Sequence, residues 1–227
     1  LDRNRRILGL RVLRSGDTTD HLAEVVRHRE FFGQFYQKKA DELAAMQPQA
    51  VSGATLTSSA IAEGVLRRMG KSATKSLRFP QELTLDEVTK LEPKAKVLRG
   101  EAPRWEVLDE KQNVIAIAIR TSPASDGVVG YKGPSDSLML LDAEGKTLRS
   151  MALRKTYDTE AYTAYVTGDP AFLKTFDGMT MEAIAGIDFD KAGVEGVSGA
   201  TQTSWGVAEG VRALPTASSE YEAKRQR

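Results

Sequence analysis

Two short stretches decide the fold of this chain: Val51-Ser52-Gly53-Ala54-Thr55-Leu56-Thr57-Ser58 and Val197-Ser198-Gly199-Ala200-Thr201-Gln202-Thr203-Ser204, here named box 1 and box 2. The likeness continues through residues 62–65 and 208–211, so that 11 of 15 positions are identical at an offset of 146. Fainter landmarks repeat upstream at an offset of 141, where Asp17-Thr18, Phe31 and Phe35 recur as Asp158-Thr159, Phe172 and Phe176. One long-period repeat predicts a duplicated domain and not a short-period solenoid.

The second copy is preceded by a segment, from about residue 85 onward, that has no counterpart before the first copy. Either the matching residues lie outside this sequence or the first unit lacks them. We therefore expect the C-terminal half of one unit in residues 1–70, a linker in 71–84, a complete second unit in 85–215 and a loose polar tail in 216–227.

Composition excludes several classes of function. The chain has 227 residues, a net charge of +1, two His and no Cys. The near-zero charge gives no broad field that would attract nucleic acid. The absence of Cys excludes thiolate-ligated zinc, iron–sulfur clusters, thiol catalysis and disulfides. No apolar run approaches the ~18–20 residues that a membrane span needs.

The order of predicted elements indicates an α+β fold, because strands precede helices in each unit. Predicted strands cover residues 7–13, 105–108, 114–119, 137–141 and 147–153. Predicted helices lie within residues 19–45 and at 58–69, 85–91, 161–167, 170–176 and 205–214. Residues 110–113 and 142–146 have the composition of hairpin turns.

The two boxes admit two interpretations. Small residues before a helix let the backbone approach a ligand closely, and the free N–H groups of a helix N-terminus favour a phosphate. Alternatively, Thr57 or Ser58 simply caps the helix and Gly53 makes a turn. Two nearly identical boxes favour the ligand, since a cap needs only one polar residue. The boxes lack the Gly-Lys-Ser/Thr of a Walker A loop.

Both boxes resemble the Ser/Thr-Gly-Ala-Thr motif of the FMN-binding domain family, which includes the extracytoplasmic flavin subunits of sodium-pumping and Rnf-type oxidoreductases. In that family a flavin transferase joins FMN, through its phosphate, to the last Thr of the motif. The resemblance implies an antiparallel sheet packed by helices in each unit and up to two covalent FMN groups. The implied site residues are Ser52, Gly53, Ala54, Thr55 and Thr57 in box 1, and Ser198, Gly199, Ala200, Thr201 and Thr203 in box 2.

The same resemblance implies an extracytoplasmic, membrane-associated electron carrier whose partners are the transferase and a membrane redox complex. It implies no catalytic or metal-binding residue. The family motif has an Asp three residues before the Ser, where this chain has Gln49 and Glu195. Because Glu keeps the carboxylate, we expect Thr201 to be modified in preference to Thr55. A structural or regulatory module that has lost its flavin, or non-covalent FMN binding, is the alternative.

Two aromatic residues are further candidates for flavin contact. Gly130-Tyr131-Lys132-Gly133 resembles the family's Gly-Tyr-x-Gly segment, which makes Tyr131 a candidate for the flavin pocket. Trp205 follows box 2 and either stacks on the flavin or belongs to the core. Tyr162 and Tyr165 are interpreted as packing or surface residues.

Overall fold

A computed structural model describes residues 1–70 and 75–225, with side chains as far as Leu214. Residues 71–74 of the predicted linker and 226–227 of the predicted tail lie outside the described residues. The chain divides into two compact units, unit 1 comprising Leu1–Pro80 and unit 2 comprising Gln81–Arg227.

Unit 1 is built from helices. Its elements are α1 (Thr19–Arg27), α2 (Arg29–Gly33), α3 (Ala40–Ala44) and α4 (Thr55–Arg68). They enclose a core whose fully buried members include Val25, Phe31, Phe35 and Leu43. Gly70 has a φ of 72° just after α4, which is the left-handed residue that ends many helices.

The strand predicted over residues 7–13 is wrong, and so is the prediction of a sheet in this unit. Within the described residues of unit 1 no strand occurs. Within the predicted strand, Ile7 forms backbone hydrogen bonds with a distant segment: its N–H donates to Lys38 O at 3.1 Å, and its carbonyl accepts from Gln37 N at 2.8 Å. Leu8 and Leu13 are 58% and 83% exposed. Apolar alternation makes a strand only when a second strand satisfies its backbone groups.

Unit 2 contains a five-stranded antiparallel sheet in which sequential strands are neighbours. The strands are β1 (Val97–Glu101), β2 (Arg104–Leu108), β3 (Val114–Arg120), β4 (Ser135–Leu141) and β5 (Leu148–Thr156). The last four confirm the predicted strands. β1 was absent from the predicted strands, because its exposed edge position gives it no apolar alternation.

Alternation in the central strands divides the apolar side chains between two layers. On β4, Met139 and Leu141 join a core cluster that includes the helices. Leu138 and Leu140, from the opposite face, join a smaller cluster with Trp105. The sheet is therefore buried on both sides, which explains why every residue of β4 is buried.

Helices of unit 2 are α5 (Leu85–Thr89), α6 (Glu160–Thr167), α7 (Pro170–Leu173), α8 (Met181–Ala185) and α9 (Thr201–Arg225). α9 packs against β4 and α8. It begins at box 2 and continues as a helix to Arg225, through residues that were predicted to be a loose tail. α8 was absent from the predicted elements.

The helices of the two units follow the same order and spacing. α1, α2 and α3 begin 141 residues before α6, α7 and α8, and α4 begins 146 residues before α9. The bonds of Ile7 have their counterpart at Leu148, which donates to Met179 O at 2.9 Å and accepts from Gly178 N at 2.7 Å. The five additional residues of unit 2 lie between α8 and box 2.

Candidate functional site

The two boxes adopt the same backbone conformation. Gly53 and Gly199 have φ values of 77° and 79°, the left-handed region in which glycine carries no steric cost. Ala54 N donates to Val51 O at 3.0 Å, and the matching bond in box 2 is 2.9 Å. Each box is thus one tight turn that leads directly into a long helix.

A buried serine closes each turn from inside. Ser58 Oγ accepts the N–H of Val51 at 3.0 Å and donates to Ala54 O at 2.9 Å. Ser204 Oγ accepts the N–H of Val197 at 2.9 Å and donates to Thr201 O at 2.9 Å. These hydroxyls bind groups of the turn and accept no helix N–H.

The capping interpretation of Thr57 or Ser58 is therefore wrong. α4 begins at Thr55, its N-cap residue is Ala54, and no side chain accepts a hydrogen bond there. The first N–H groups of an α-helix have no partner within the helix. An uncapped N-terminus carries partial positive charge and is a favourable place for a phosphate. The turn at Gly53 is confirmed.

The threonines of each box differ in exposure. Thr55 and Thr201, each the first residue of its helix, are exposed together with the Ser-Gly pair that precedes them. Ala54 and Ala200 are buried and anchor the turn in the core. Thr203 is 1% exposed, and its Oγ1 has no hydrogen-bond partner. Box 2 therefore combines an accessible hydroxyl with a buried one that lacks a partner.

A loop lies beside box 2 and is held by one carboxylate. The backbone N–H groups of Tyr131, Lys132 and Gly133 all donate to Asp158, the first and third at 3.1 Å. A Cβ atom on Gly206 of α9 would lie 2.6 Å from the Cα of Gly130. The loop therefore sits in direct backbone contact with the beginning of α9, and only glycine fits at the contact.

Three tyrosines surround this loop and the turn of box 2. Tyr131 is 50% exposed and packs edge-on against Tyr162, with ring centroids 5.0 Å apart. Tyr165, one turn along α6 from Tyr162, is 57% exposed. Its ring lies 3.9 Å from the position of a Cβ on Gly199. The sequence predicted Tyr131 as a candidate for flavin contact but not Tyr162 and Tyr165, which were interpreted as packing or surface residues. The i, i+3 spacing of these two tyrosines, shortly after Asp158-Thr159, was the available signal that they share one helix face.

Trp205 packs into the core side of α9. Its ring lies 5.3 Å from that of Phe189, and the guanidinium of Arg212 lies 4.8 Å from the Phe189 centroid. These three residues line a cavity of about 420 Å³ together with Ile187, Asp188 and Asp190. These contacts agree with the interpretation of Trp205 as a core residue and not as a residue that stacks on the flavin. Phe189 belongs to the loop that unit 2 has in addition, between α8 and box 2.

Box 1 has different surroundings. The side-chain amide of Gln34 forms two hydrogen bonds with the backbone of Gln49: its oxygen accepts the N–H at 2.7 Å and its nitrogen donates to the carbonyl at 3.1 Å. At the offset of 141, the positions of Tyr162 and Tyr165 hold His21 and Glu24. Gly206 corresponds to Ala60 at the offset of 146. The two tyrosines of α6 thus have no aromatic counterparts at the equivalent positions of unit 1.

No cluster of three or more His, Asp or Glu side chains within residues 1–70 and 75–214 is arranged to hold a metal ion. No helix in the same ranges is both long enough and apolar enough to cross a membrane.

Residues 1–68 match the family model of the FMN-binding domain, which confirms the resemblance over that part of the chain. A search of curated proteins found no match. Among solved structures, NqrC of Shewanella oneidensis is similar with 17% identity and a TM-score of 0.33. That alignment covers 48% of this chain and 52% of the NqrC chain, so it spans about half of each.

Proposed function

We propose that this chain is a flavin-carrying electron-transfer protein with FMN joined by a phosphodiester to Thr201 and Thr55, in two copies of one duplicated domain. The observation that carries the proposal is the shared geometry of the boxes. Each presents an exposed Thr as the first residue of its helix, after a glycine turn closed by an internal serine, and in box 1 no side chain caps the helix. The family match of residues 1–68 supports FMN as the ligand.

The residues present fit a phosphate. Gly53 and Gly199 have no side chain, and nothing lies within 4 Å of a Cβ built on Gly53. The helix N-terminus stabilises the negative charge that a phosphodiester retains. Thr203, two residues after Thr201, has a buried Oγ1 without a hydrogen-bond partner. At box 1 no side chain caps the helix, so its first N–H groups are available to a ligand.

The attachment chemistry follows from an exposed hydroxyl. In the proposed reaction the Thr oxygen attacks the FMN phosphorus of FAD, the bond to AMP breaks, and the hydroxyl proton is released. A separate flavin transferase catalyses this step, and the chain supplies the hydroxyl and its orientation. Bound FMN supplies one- and two-electron redox chemistry, while the protein determines its position and surroundings.

We place the protein outside the cytoplasm, next to a membrane redox complex that supplies and removes electrons. The support is the resemblance of the boxes to the FMN-binding domain family. We propose that Thr201 is modified in preference to Thr55. Glu195 keeps the acidic residue of the motif, whereas the backbone at Gln49 is held by Gln34.

A structural role for unit 1 is the second candidate. The described residues of this unit contain no strand, and His21 and Glu24 occupy the positions of two tyrosines. In that case unit 1 would keep the turn but not the flavin. Non-covalent FMN binding at the same helix N-termini is distinguished by denaturation, which releases such a ligand.

Intact mass after co-expression with a flavin transferase tests the proposal. The chain should gain the mass of one or two FMN phosphoryl groups, and each of Thr201→Val and Thr55→Val should remove the group at its own site. Thr19→Val is the matched control, because Thr19 is also an exposed first residue of a helix but lies outside the boxes. A colourless chain of unmodified mass would reject covalent attachment.

A further inference from the structure

We propose that Tyr131, Tyr162 and Tyr165, here named the tyrosine platform, hold the isoalloxazine ring of a flavin attached at Thr201. A flavin at Thr55 has no such platform, so the two sites give the cofactor different environments. This inference rests on the proposed function and extends it from the phosphate to the redox-active ring.

The platform lies next to the turn of box 2. The ring of Tyr165 lies 3.9 Å from the position that a Cβ on Gly199 would take, and Tyr131 is linked to Tyr162 by an edge-on contact at 5.0 Å. Tyr131 and Tyr165 nevertheless leave 50% and 57% of their surface exposed. Aromatic side chains gain free energy from burial against another ring, and a flavin ring reaching from Thr201 offers that surface.

Backbone contacts hold the loop that carries Tyr131 in place. Asp158 accepts three successive N–H groups of the loop that carries Tyr131. Gly206 lets this loop touch α9, and Thr203, whose Oγ1 lacks a partner, lies beneath Gly130. Asp158 and Gly206 are therefore positioning residues, and the loop holds its tyrosine over the start of α9.

Unit 1 lacks the corresponding residues. His21 and Glu24 stand where α6 has its two tyrosines, and Ala60 stands where Gly206 admits the loop. α1 packs against α4 as α6 packs against α9, so the scaffold is present although the aromatic rings are not. A flavin on Thr55 would therefore lack these ring contacts.

Flavin fluorescence separates the two environments. An excited flavin in contact with a phenol accepts an electron from it, and the electron then returns, so that emission is quenched without net reaction. In the full chain co-expressed with a flavin transferase, Thr55→Val leaves the site at Thr201 and Thr201→Val leaves the site at Thr55. We expect the fluorescence yield per flavin to be severalfold lower at Thr201.

The decisive variants change only the phenol. In the Thr55→Val background, Tyr165→Phe and Tyr131→Phe should each raise the yield per flavin, and the double variant should raise it severalfold, with flavin mass unchanged. Phe keeps the ring, so the fold is preserved. Tyr36→Phe, an exposed tyrosine of unit 1, is the control and should change nothing. Gly206→Ala should also raise the yield, because it displaces the loop.

The outcomes separate the inference from the function on which it rests. Attached flavin at Thr201 with a yield that the Phe variants leave unchanged would overturn the platform and leave the proposed function standing. The platform is also overturned if the yields at the two sites are equal. No flavin mass at either Thr would overturn both.

Discussion

Replacing Ser204 with Ala tests whether the serine inside box 2 holds the turn together. Ser204 is fully buried and makes two bonds, one from the N–H of Val197 and one to the carbonyl of Thr201, both at 2.9 Å. Val197 is only 7% exposed, so its N–H has no access to water once the hydroxyl is removed. The substitution therefore leaves a buried donor without a partner.

The expected cost follows from these two bonds. An unsatisfied buried donor costs about 1–3 kcal/mol, and a lost neutral hydrogen bond costs about 1 kcal/mol, so we expect a loss of about 3 kcal/mol. With a urea m-value of about 2 kcal/mol/M, the unfolding midpoint should decrease by about 1.5 M. A surface substitution without such contacts changes stability by no more than about 0.5 kcal/mol.

Tryptophan fluorescence during urea unfolding measures this effect in unit 2 alone, because both tryptophans, Trp105 and Trp205, belong to that unit. Ser198→Ala is the matched control, since Ser198 lies in the same box but is exposed. Equal midpoints for Ser204→Ala and Ser198→Ala would refute the assignment of the buried hydroxyl as the bond that closes the turn.

Three further predictions concern unit 2 and its contrast with unit 1. Gly206→Ala should destabilise unit 2 and displace the neighbouring loop, because the new Cβ would lie 2.6 Å from backbone; the urea midpoint from tryptophan fluorescence measures this. Gly64→Ala, at an open helical position, should stabilise unit 1 by about 0.5–1 kcal/mol, and because unit 1 has no tryptophan its urea midpoint is read from far-UV circular dichroism. Asp136→Ala should lower the free energy of unfolding, measured with urea, by about 3–5 kcal/mol, because it leaves the buried Arg120 and Arg154 without the carboxylate that they share. A loss no larger than that of an exposed ion pair would contradict this assignment. Burial raises the pKa of Glu87, but hydrogen bonds from Thr84 and the charge of Arg154 outweigh it and lower the pKa below the ordinary value. The stabilisation is therefore present above the unfolded-state pKa and is lost as the pH falls, so the urea midpoint of Glu87→Gln should depend less on pH in the acidic range than that of the parent chain.

Elements with strong local patterns were predictable. β3 and β4 contain continuous apolar runs, and the turn at Asp142 has polar residues on both sides of its glycine, so strands and hairpin follow from composition. β1 was missed because an edge strand is defined by pairing with its neighbour and not by its own pattern. The strand at residues 7–13 failed for the converse reason, since it has the pattern but no neighbour.

The sequence by itself determined that two nearly identical boxes exist and that a helix follows each, and the resemblance of the boxes to the FMN-binding domain family implied Thr55 and Thr201 as acceptors. These facts depend on identity and spacing along the chain. Only the tertiary structure decided what surrounds each box, because Asp158, Tyr165 and Gly206 reach box 2 from separate elements. Spacing along the chain determines local geometry, and this is the same in both boxes. The surroundings of box 1 and box 2 differ because they depend on contacts between residues that are distant in sequence.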